Sequence, residues 1–233
     1  MNKAKAKSGR IDGILVDLGS VFFHTDWQPI VAELQRLSRN KKWKSASWKD
    51  VRDTVRDSGL ITDWDAGVTD TLTFYKRLCK FLCVNTQRFS YRKFREIWCS
   101  GTTPNLPLVF WLYYIKGRLD LPMAIASNLQ ELHWEIIMRK FSYLILPLFD
   151  TFVLSYSIRT RKPHKKFWDE CERRLEIPLS RLLLIDDRAD NCQSFRARGG
   201  VAEQYDISEH KASEERLRKL FGLGKKGTYN DKG

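Results

Sequence analysis

The sequence predicts an α/β fold in which a Rossmann-like parallel sheet carries a small α-helical cap inserted after the first strand. Two observations carry this prediction. Short, continuous apolar runs alternate with segments of helical periodicity, which is typical of a parallel sheet covered by helices on both faces. A long stretch between the first and second of these runs contains helical patterns and few strand-like runs.

Five apolar runs bounded by turn residues are predicted as buried strands. They span residues 13–18, 122–127, 151–155, 181–186 and 201–205. Helices are predicted over 129–141 and 163–175. In the second of these, Pro163 would occupy the first turn, and Phe167, Cys171 and Leu175 recur at a spacing of four residues.

The segment 24–105 is predicted as the helical cap, with helices over 29–37, 48–55, 70–81 and 91–98. The α/β core then comprises 11–23 and 106–221. Residues 1–10 and 222–233 are predicted as flexible tails because they are basic or rich in glycine and lysine. A cap at this point of the chain would cover the carboxyl ends of the strands, where ligands bind in open α/β sheets.

The chain is strongly basic, since its 41 Lys and Arg against 28 Asp and Glu give a net charge of +13. Such a charge favours anionic partners. A small phosphorylated metabolite and a nucleic acid are both candidates. Tryptophans of the predicted cap lie among Lys and Arg, a pattern that suits either a cap core or a surface that stacks single-stranded nucleic acid. They are Trp27, Trp43, Trp48, Trp64 and Trp98.

Several classes of protein are disfavoured. The longest apolar run, 106–115, contains a proline and is far shorter than the ~20 residues of a membrane span. The basic N-terminus is not followed by the apolar region of a secretory signal. Five cysteines without a CxxC pair predict neither a disulfide framework nor a zinc ribbon. A cytoplasmic protein without membrane partners is expected, and its oligomeric state is open.

Polar residues follow several of the predicted strands, where they would meet at one edge of the sheet. Asp17 ends the first strand, and Asp186 and Asp187 end the fourth. A carboxylate at a strand end can attack phosphorus, although a turn-capping role is the plainer alternative. Carboxylates brought together repel one another, and a bound cation removes that repulsion. An all-oxygen ligand set favours Mg²⁺.

Further residues are candidates for phosphate binding and support. Ser127 and Asn128 lie between a strand and a helix, where they would either bind an anion or cap the helix. Lys162 could pair with Asp17 and with a transferring phosphoryl group. Its neighbours Arg159, Arg161 and Lys165 are expected to be exposed. Asp190 would cap the next helix or support the metal site from a second layer.

Asp17, Ser127, Lys162 and the pair Asp186-Asp187 follow one another along the chain as four short motifs. Their order and spacing resemble those of the haloacid dehalogenase superfamily. Within it, Asp17-Leu18-Gly19-Ser20-Val21 is similar to the D-L-G-x-V branch with a helical cap, and to sugar phosphatases of the α-D-glucose-1-phosphate phosphatase type. The resemblance covers about residues 11–210. It includes the segment 64–69, Trp-Asp-Ala-Gly-Val-Thr, which looks like the short polar turn between cap helices in that family.

The resemblance implies a Mg²⁺-dependent phosphomonoester hydrolase that forms an aspartyl-phosphate on small phosphorylated metabolites, sugar phosphates first. It implies Asp17 as the nucleophile, and Ser127 and Lys162 as phosphate ligands. Mg²⁺ would be held by Asp17, Asp186 and the backbone carbonyl of Gly19, with Asp187 in support.

One position departs from the family pattern. Most phosphatases of the superfamily carry a second Asp two residues after the nucleophile as general acid and base, and this chain has Gly19 there. The loss of such a group typically costs on the order of 10²–10⁴ in rate. A phosphatase with a substitute acid, for which His24 and Asp26 are candidates, or with substrates that have good leaving groups is one interpretation. A 2-haloacid dehalogenase-like hydrolase is another, and a catalytically weak phosphate- or nucleic-acid-binding protein is a third.

Overall fold

The structure is a computed structural model that describes residues 11–98 and 100–223. The predicted tail 1–10 and residues 224–233 of the predicted tail 222–233 lie outside the described residues, as does Cys99.

The elements alternate as the sequence predicts. The strands are β1 Gly13–Val16, β2 Phe23–Asp26, β3 Gly101–Pro104, β4 Met123–Ser127, β5 Thr151–Leu154, β6 Leu182–Asp186 and β7 Val201–Gln204. The first six helices are α1 Gln28–Leu37, α2 Lys41–Ser45, α3 Trp48–Asp57, α4 Leu60–Asp65, α5 Thr71–Phe81 and α6 Tyr91–Ile97. The others are α7 Leu106–Leu119, α8 Glu131–Ile145, α9 Ser155–Ile158, α10 Lys165–Leu175, α11 Ala189–Ala197 and α12 His210–Leu220.

Five strands form one parallel sheet in the order β5-β4-β1-β6-β7. They are the five strands that the apolar runs predict, so the predicted fold class is confirmed. The central strand β1 is fully buried because helices cover both faces of the sheet. Ile14 and Val16 belong to the hydrophobic cluster on one face, whereas Leu15 belongs to the cluster on the other, as the alternation of side chains in a strand requires.

Helices α1 to α6 form a cap with a hydrophobic cluster of its own. Trp43, Trp64 and Trp98 are buried in this cluster, and Trp27 and Trp48 pack against it while half-buried. The cap tryptophans therefore serve mainly as cap core. Leu132 and Ile136 of α8 belong to the same cluster and join the cap to the sheet-bearing part of the molecule.

The segment 24–105, predicted as the helical cap, begins and ends in short strands. β2 and β3 pair as an antiparallel two-stranded ribbon, with His24 opposite Thr103 and Asp26 opposite Gly101. Each of these strands has only four residues and no long apolar run, which is why the hydrophobic pattern did not predict them. The cap helices thus leave and rejoin the core through a ribbon.

Two helix starts also lie later than predicted. α10 begins at Lys165 and not at Pro163, because His164 is the N-cap and accepts a hydrogen bond from the Lys166 N–H. α8 begins at Glu131 and not at residue 129, because Gln130 is the N-cap and has extended backbone angles. None of the described helices is both long enough and apolar enough to cross a membrane.

Candidate active site

The predicted site residues lie at the carboxyl edge of the sheet. Asp17 directly follows β1, and Ser127 and Asp186 are the last residues of β4 and β6. β4 and β6 are the two neighbours of β1 and run parallel to it, so their ends meet beside Asp17. Parallel pairing thus brings together residues that are more than 100 positions apart in the sequence.

Three carboxylates and one ammonium group form the centre of this site. Asp17, Asp186 and Asp187 each offer a carboxylate oxygen, and these oxygens lie within 4.8 Å of one another. Lys162 Nζ lies 3.0 Å from Asp17 Oδ1 and 2.5 Å from Asp186 Oδ2. Asp17, Asp186 and Lys162 are buried, so the ammonium group compensates two carboxylates that water does not reach freely.

Hydrogen bonds fix the orientation of this centre. Asn191 Nδ2 donates to both oxygens of Asp186, at 2.9 and 3.1 Å, and the Arg188 backbone N–H donates to Asp186 Oδ1 at 2.9 Å. Lys162 Nζ also donates to the Ala126 carbonyl at 2.7 Å. Asp186 is therefore held rigidly, and Lys162 is tied to both β4 and β6.

The electrostatics follow from burial and charge. Burial raises the pKa of Asp17, and the nearby Lys162 ammonium opposes that rise. Burial, together with the charges of Asp17 and Asp186, raises the pKa of Asp187 to about 7. Burial alone would lower the pKa of Lys162, but the two carboxylates outweigh it and hold that pKa above its ordinary value. Lys162 is thus a permanent cation beside a carboxylate that retains affinity for protons or metal ions.

Asn128 has a different place from the one predicted. Its side chain donates to the Lys162 carbonyl at 3.0 Å and accepts from the Lys162 N–H at 2.8 Å. Both functional atoms of the amide are therefore used to clamp the Lys162 backbone, and no helix begins directly after Asn128. The side chain of Asn128 therefore positions Lys162, while binding of phosphate through the Asn128 backbone N–H stays a prediction.

Ser127 fits the predicted role better. Its hydroxyl is buried and close enough to Asp17 to lower that carboxyl's pKa, yet it makes no hydrogen bond of ordinary geometry within the described part of the chain. Buried hydroxyls are normally bonded. The Ser127 hydroxyl is therefore available to donate a hydrogen bond to a ligand beside Asp17.

Asp190 is not the residue that supports Asp186. Its carboxylate is paired with Arg188 at 2.8 Å and accepts from the Asn191 N–H at 3.0 Å in the first turn of α11. The following residue, Asn191, points inward and holds Asp186 instead. The sequence does not predict this role of Asn191, because nothing in the pattern shows which of two adjacent polar residues faces the site.

The two candidates for a substitute acid also lie elsewhere. His24 and Asp26 are exposed on β2, and neither lines the cavity beside Asp17. Thr25 lies between them and does line it. Successive side chains of a strand point to opposite sides, so the register that turns Thr25 inward turns both neighbours outward. This corrects the prediction that His24 or Asp26 supplies the acid.

A cavity of about 630 Å³ connects the carboxylate centre with the cap. Its sheet end includes Asp17, Gly19 and Lys162. Its cap end has apolar walls from α1 and α3, and also contains a polar group that the sequence did not single out. That group is Asp65, Gln130 and Arg161.

Asp65 is buried and held by the core. Its backbone carbonyl accepts from the Ser155 hydroxyl at 2.5 Å, and its side chain accepts from Gln130 Nε2. Arg161 was expected to be exposed, but its guanidinium reaches across to the cap and lies 3.6 Å from Asp65 Oδ2. Arg159 and Lys165 are exposed as expected.

Gly67 explains why the turn after α4 can approach so closely. A Cβ on Gly67 would lie 2.2 Å from the Tyr156 carbonyl oxygen, and its φ of +64° is one that glycine adopts readily. The Asp-Ala-Gly run was visible in the sequence as a polar turn of the cap. Its contact with α9 could not be seen there.

Comparisons of the whole structure with solved structures identify the fold. The enzyme BT-2542 of Bacteroides thetaiotaomicron, described as a haloacid dehalogenase (HAD) family enzyme, superimposes with a TM-score of 0.72 at 19% identity, over 91% of this chain and 99% of that one. A predicted HAD-like family hydrolase of Porphyromonas gingivalis gives 0.71 at 17% identity, over 90% and 99%. The chain has the HAD fold.

A more distant HAD structure also aligns. L-2-haloacid dehalogenase of Xanthobacter autotrophicus, with chloropropionic acid covalently bound, gives a TM-score of 0.54 at 14% identity over 91% of this chain and 83% of that one. The sequence itself matches no family model and no curated protein. The likeness at these identities is one of fold.

The carboxylate centre of this HAD fold suits a divalent cation. Its donors are oxygens of three carboxylates, and Asn191 Oδ1 nearby is buried without a hydrogen-bond partner within the described residues. Hard oxygen donors in a cluster of excess negative charge match Mg²⁺ better than softer metals. Asp17, Asp186 and Asp187, with the carbonyl of Gly19, are the groups that would hold it.

Proposed function

We propose that the protein is a Mg²⁺-dependent phosphomonoester hydrolase in which Asp17 attacks phosphorus and forms an aspartyl-phosphate. The observation that carries this proposal is the position of the Asp17 carboxylate. It lines the cavity between the sheet and the cap, 3.0 Å from the Lys162 ammonium group and within 4.8 Å of two further carboxylates. A nucleophile, a fixed cation and a metal-binding oxygen set are what phosphoryl transfer requires.

Each residue has a distinct task in this mechanism. Lys162 neutralises charge on the phosphoryl group and is kept in place by Asn128 and Asp186. Ser127 donates its free hydroxyl to a phosphoryl oxygen. When bound, Mg²⁺ would neutralise phosphate charge that the protein cations leave uncompensated. Its assignment is supported by the structure of BT-2542, which is described as a complex with magnesium and inorganic phosphate.

Small phosphorylated metabolites, sugar phosphates first, are the proposed substrates. The cavity volume of about 630 Å³ is within the usual range for small-molecule sites. Asp65, Gln130 and Arg161 line the same cavity and offer donors and acceptors for polar groups of such a substrate. A nucleic-acid ligand is less well supported, because three of the cap tryptophans are buried and cannot stack on bases.

A 2-haloacid dehalogenase-like reaction is the second candidate. Carbon–halogen cleavage needs a carboxylate nucleophile but no acid at position 19, and the cap end of the cavity has apolar walls that would accept an alkyl group. Asp186 and Asp187 favour the phosphatase, since halide displacement does not need the extra carboxylates. The two candidates differ in their requirement for a metal.

The test measures hydrolysis of p-nitrophenyl phosphate and of a panel of sugar phosphates over a titration of Mg²⁺. Asp17→Asn should lower kcat on the order of 10⁴-fold or more. Asp120→Asn is the matched control because Asp120 is exposed at the opposite end of the sheet, and Asn tolerates its left-handed conformation. Metal-independent release of halide from 2-chloropropionate, without phosphate ester turnover, would establish the second candidate instead.

A further inference from the structure

The cavity contains an acid that could replace the one lost at position 19. Among the described residues, no atom lies within 4 Å of a Cβ built on Gly19, so a side chain at this position would meet open space. The leaving group of a phosphoester bound at Asp17 would extend from there towards the cap. A proton donor for its oxygen must therefore come from another side chain that lines the cavity.

Few titratable groups qualify among the described residues of the cavity. Asp187 belongs to the carboxylate centre, and Asp57 is largely exposed and paired with Arg56. His133 is buried, and burial lowers its pKa to about 4, so its imidazole is uncharged near neutral pH and does not act as an imidazolium acid. Asp65 is the buried carboxylate that the cap brings into the cavity.

The position of Asp65 is fixed by the core rather than by the cap alone. Ser155 holds its backbone carbonyl, and Gln130 donates to its Oδ1. Its Oδ2 lies 3.6 Å from Arg161 Nη2, which is beyond hydrogen-bond distance. One carboxylate oxygen is thus anchored, and the other remains available to a ligand.

The surroundings of Asp65 favour a proton near neutral pH. Burial raises its pKa to about 6, and the charge of Asp17 adds to the rise. Arg161, the hydrogen bond from Gln130, and Arg188 act in the opposite direction. A carboxyl group that titrates close to the working pH can both give and accept a proton.

We propose that Asp65 is the general acid and base of the phosphatase reaction, an inference that rests on the proposed function. As Asp17 attacks phosphorus, the bond from phosphorus to the leaving oxygen breaks, and that oxygen takes the proton of Asp65 to leave as an alcohol. Water then attacks the aspartyl-phosphate and gives a proton to the Asp65 carboxylate. The bond from phosphorus to Asp17 breaks, phosphate leaves, and both carboxyl groups return to their starting states.

The test compares kcat/KM of Asp65→Asn on two substrates with different leaving groups, 2,4-dinitrophenyl phosphate and a sugar phosphate with an alkyl leaving group. A dinitrophenolate leaves without a proton, so its kcat/KM, which reports steps up to leaving-group release, should change less than about fivefold. The alkyl ester needs the proton, and its kcat/KM should fall on the order of 10²–10⁴-fold. Asp63→Asn, an exposed residue on the same helix, is the matched control and should leave both values unchanged.

A second variant tests the same role by rescue. Gly19→Asp has room for its side chain and should restore an acid beside the nucleophile. In that background, Asp65→Asn should cost at least tenfold less on the alkyl ester. In the unmodified protein, kcat/KM for the alkyl ester should fall as pH rises above about 6, while the value for the dinitrophenyl ester should not.

Equal losses on the two substrates, or no loss on the alkyl ester, would overturn the role of Asp65 and leave the phosphatase in place. If the unmodified protein hydrolyses neither ester, the proposed function fails, and this inference fails with it. Thermal unfolding of Asp65→Asn shows whether a loss on both substrates reflects misfolding of the variant. If the variant is misfolded, the pH profile of kcat/KM in the unmodified protein tests the role of Asp65 instead.

Discussion

The two ends of the cavity are built in different ways. At the sheet end, Asp17, Asp186 and Lys162 lie on neighbouring parallel strands or are bonded to them, and their charges largely compensate one another. At the cap end, Asp65 is held in the cavity by hydrogen bonds from Gln130 and Ser155, which lie outside the cap. A change at the sheet end should therefore destabilise the protein electrostatically. A change at the cap end should mainly displace Asp65 from its position in the cavity.

The largest effect is expected from removing the cation of the sheet end. Lys162→Met leaves two buried carboxylates without their partner and should lower the free energy of unfolding by about 3–5 kcal/mol. Urea denaturation without metal measures it, and added Mg²⁺ should recover part of the loss. Lys165→Met, at an exposed lysine, is the control and should cost less than about 1 kcal/mol. A small loss in Lys162→Met would contradict the charge compensation.

The next effect concerns the acid of the cap end. The pKa of Asp65 is about 6 in the folded protein and has its ordinary value of 3.8 in the unfolded chain, so between these pH values the unfolded chain ionises first. Stability is therefore lost as pH rises from about 4 to 6, on the order of 3 kcal/mol at 1.36 kcal/mol per pKa unit. Asp65→Asn should match the unmodified protein at pH 4 and exceed its melting temperature at pH 7. An identical pH profile in both proteins would contradict the burial of this charge.

Alignment of the cap turn is tested at Gly67. Gly67→Ala places a Cβ 2.2 Å from the Tyr156 carbonyl oxygen and should cost about 2 kcal/mol by overpacking, together with a loss of turnover because Asp65 moves. Gly59→Ala is the matched control, since Gly59 also has a positive φ but no atom near its Cβ. If the two variants lose equal stability and activity, the contact with α9 does not align the cap.

The smallest effect is expected at Ser155. Ser155→Ala removes the hydroxyl that bonds the Asp65 carbonyl and the Leu129 N–H, and should cost about 1–2 kcal/mol in the free energy of unfolding. The control is Ser157→Ala, whose hydroxyl bonds only the local Leu154 carbonyl. Loss of kcat/KM on alkyl phosphates in Ser155→Ala but not in Ser157→Ala would link this hydrogen bond to the position of Asp65.

The sequence located the residues at the sheet end of the cavity better than those that depend on contacts between elements. Asp17, Asp186 and Asp187 could be located from the sequence because each follows an apolar strand, and parallel strands place their ends at one edge. The side-chain partners of Asn128 and Asp190 could not be identified from the sequence, because they depend on which groups lie within hydrogen-bond distance. His24 and Asp26 were misjudged because they lie in a strand that has no apolar pattern, so its register was invisible.

The sequence by itself determined the parallel sheet, the inserted cap and the strand-end carboxylates, since hydrophobic periodicity and strand polarity are properties of the local chain. Only the tertiary structure decided that Asn191 holds Asp186, that Arg161 turns towards the cap and that Asp65 enters the cavity. The first depends on how α11 packs against β6, and the other two on how α4 docks against α9, contacts that exist only once these elements have packed together.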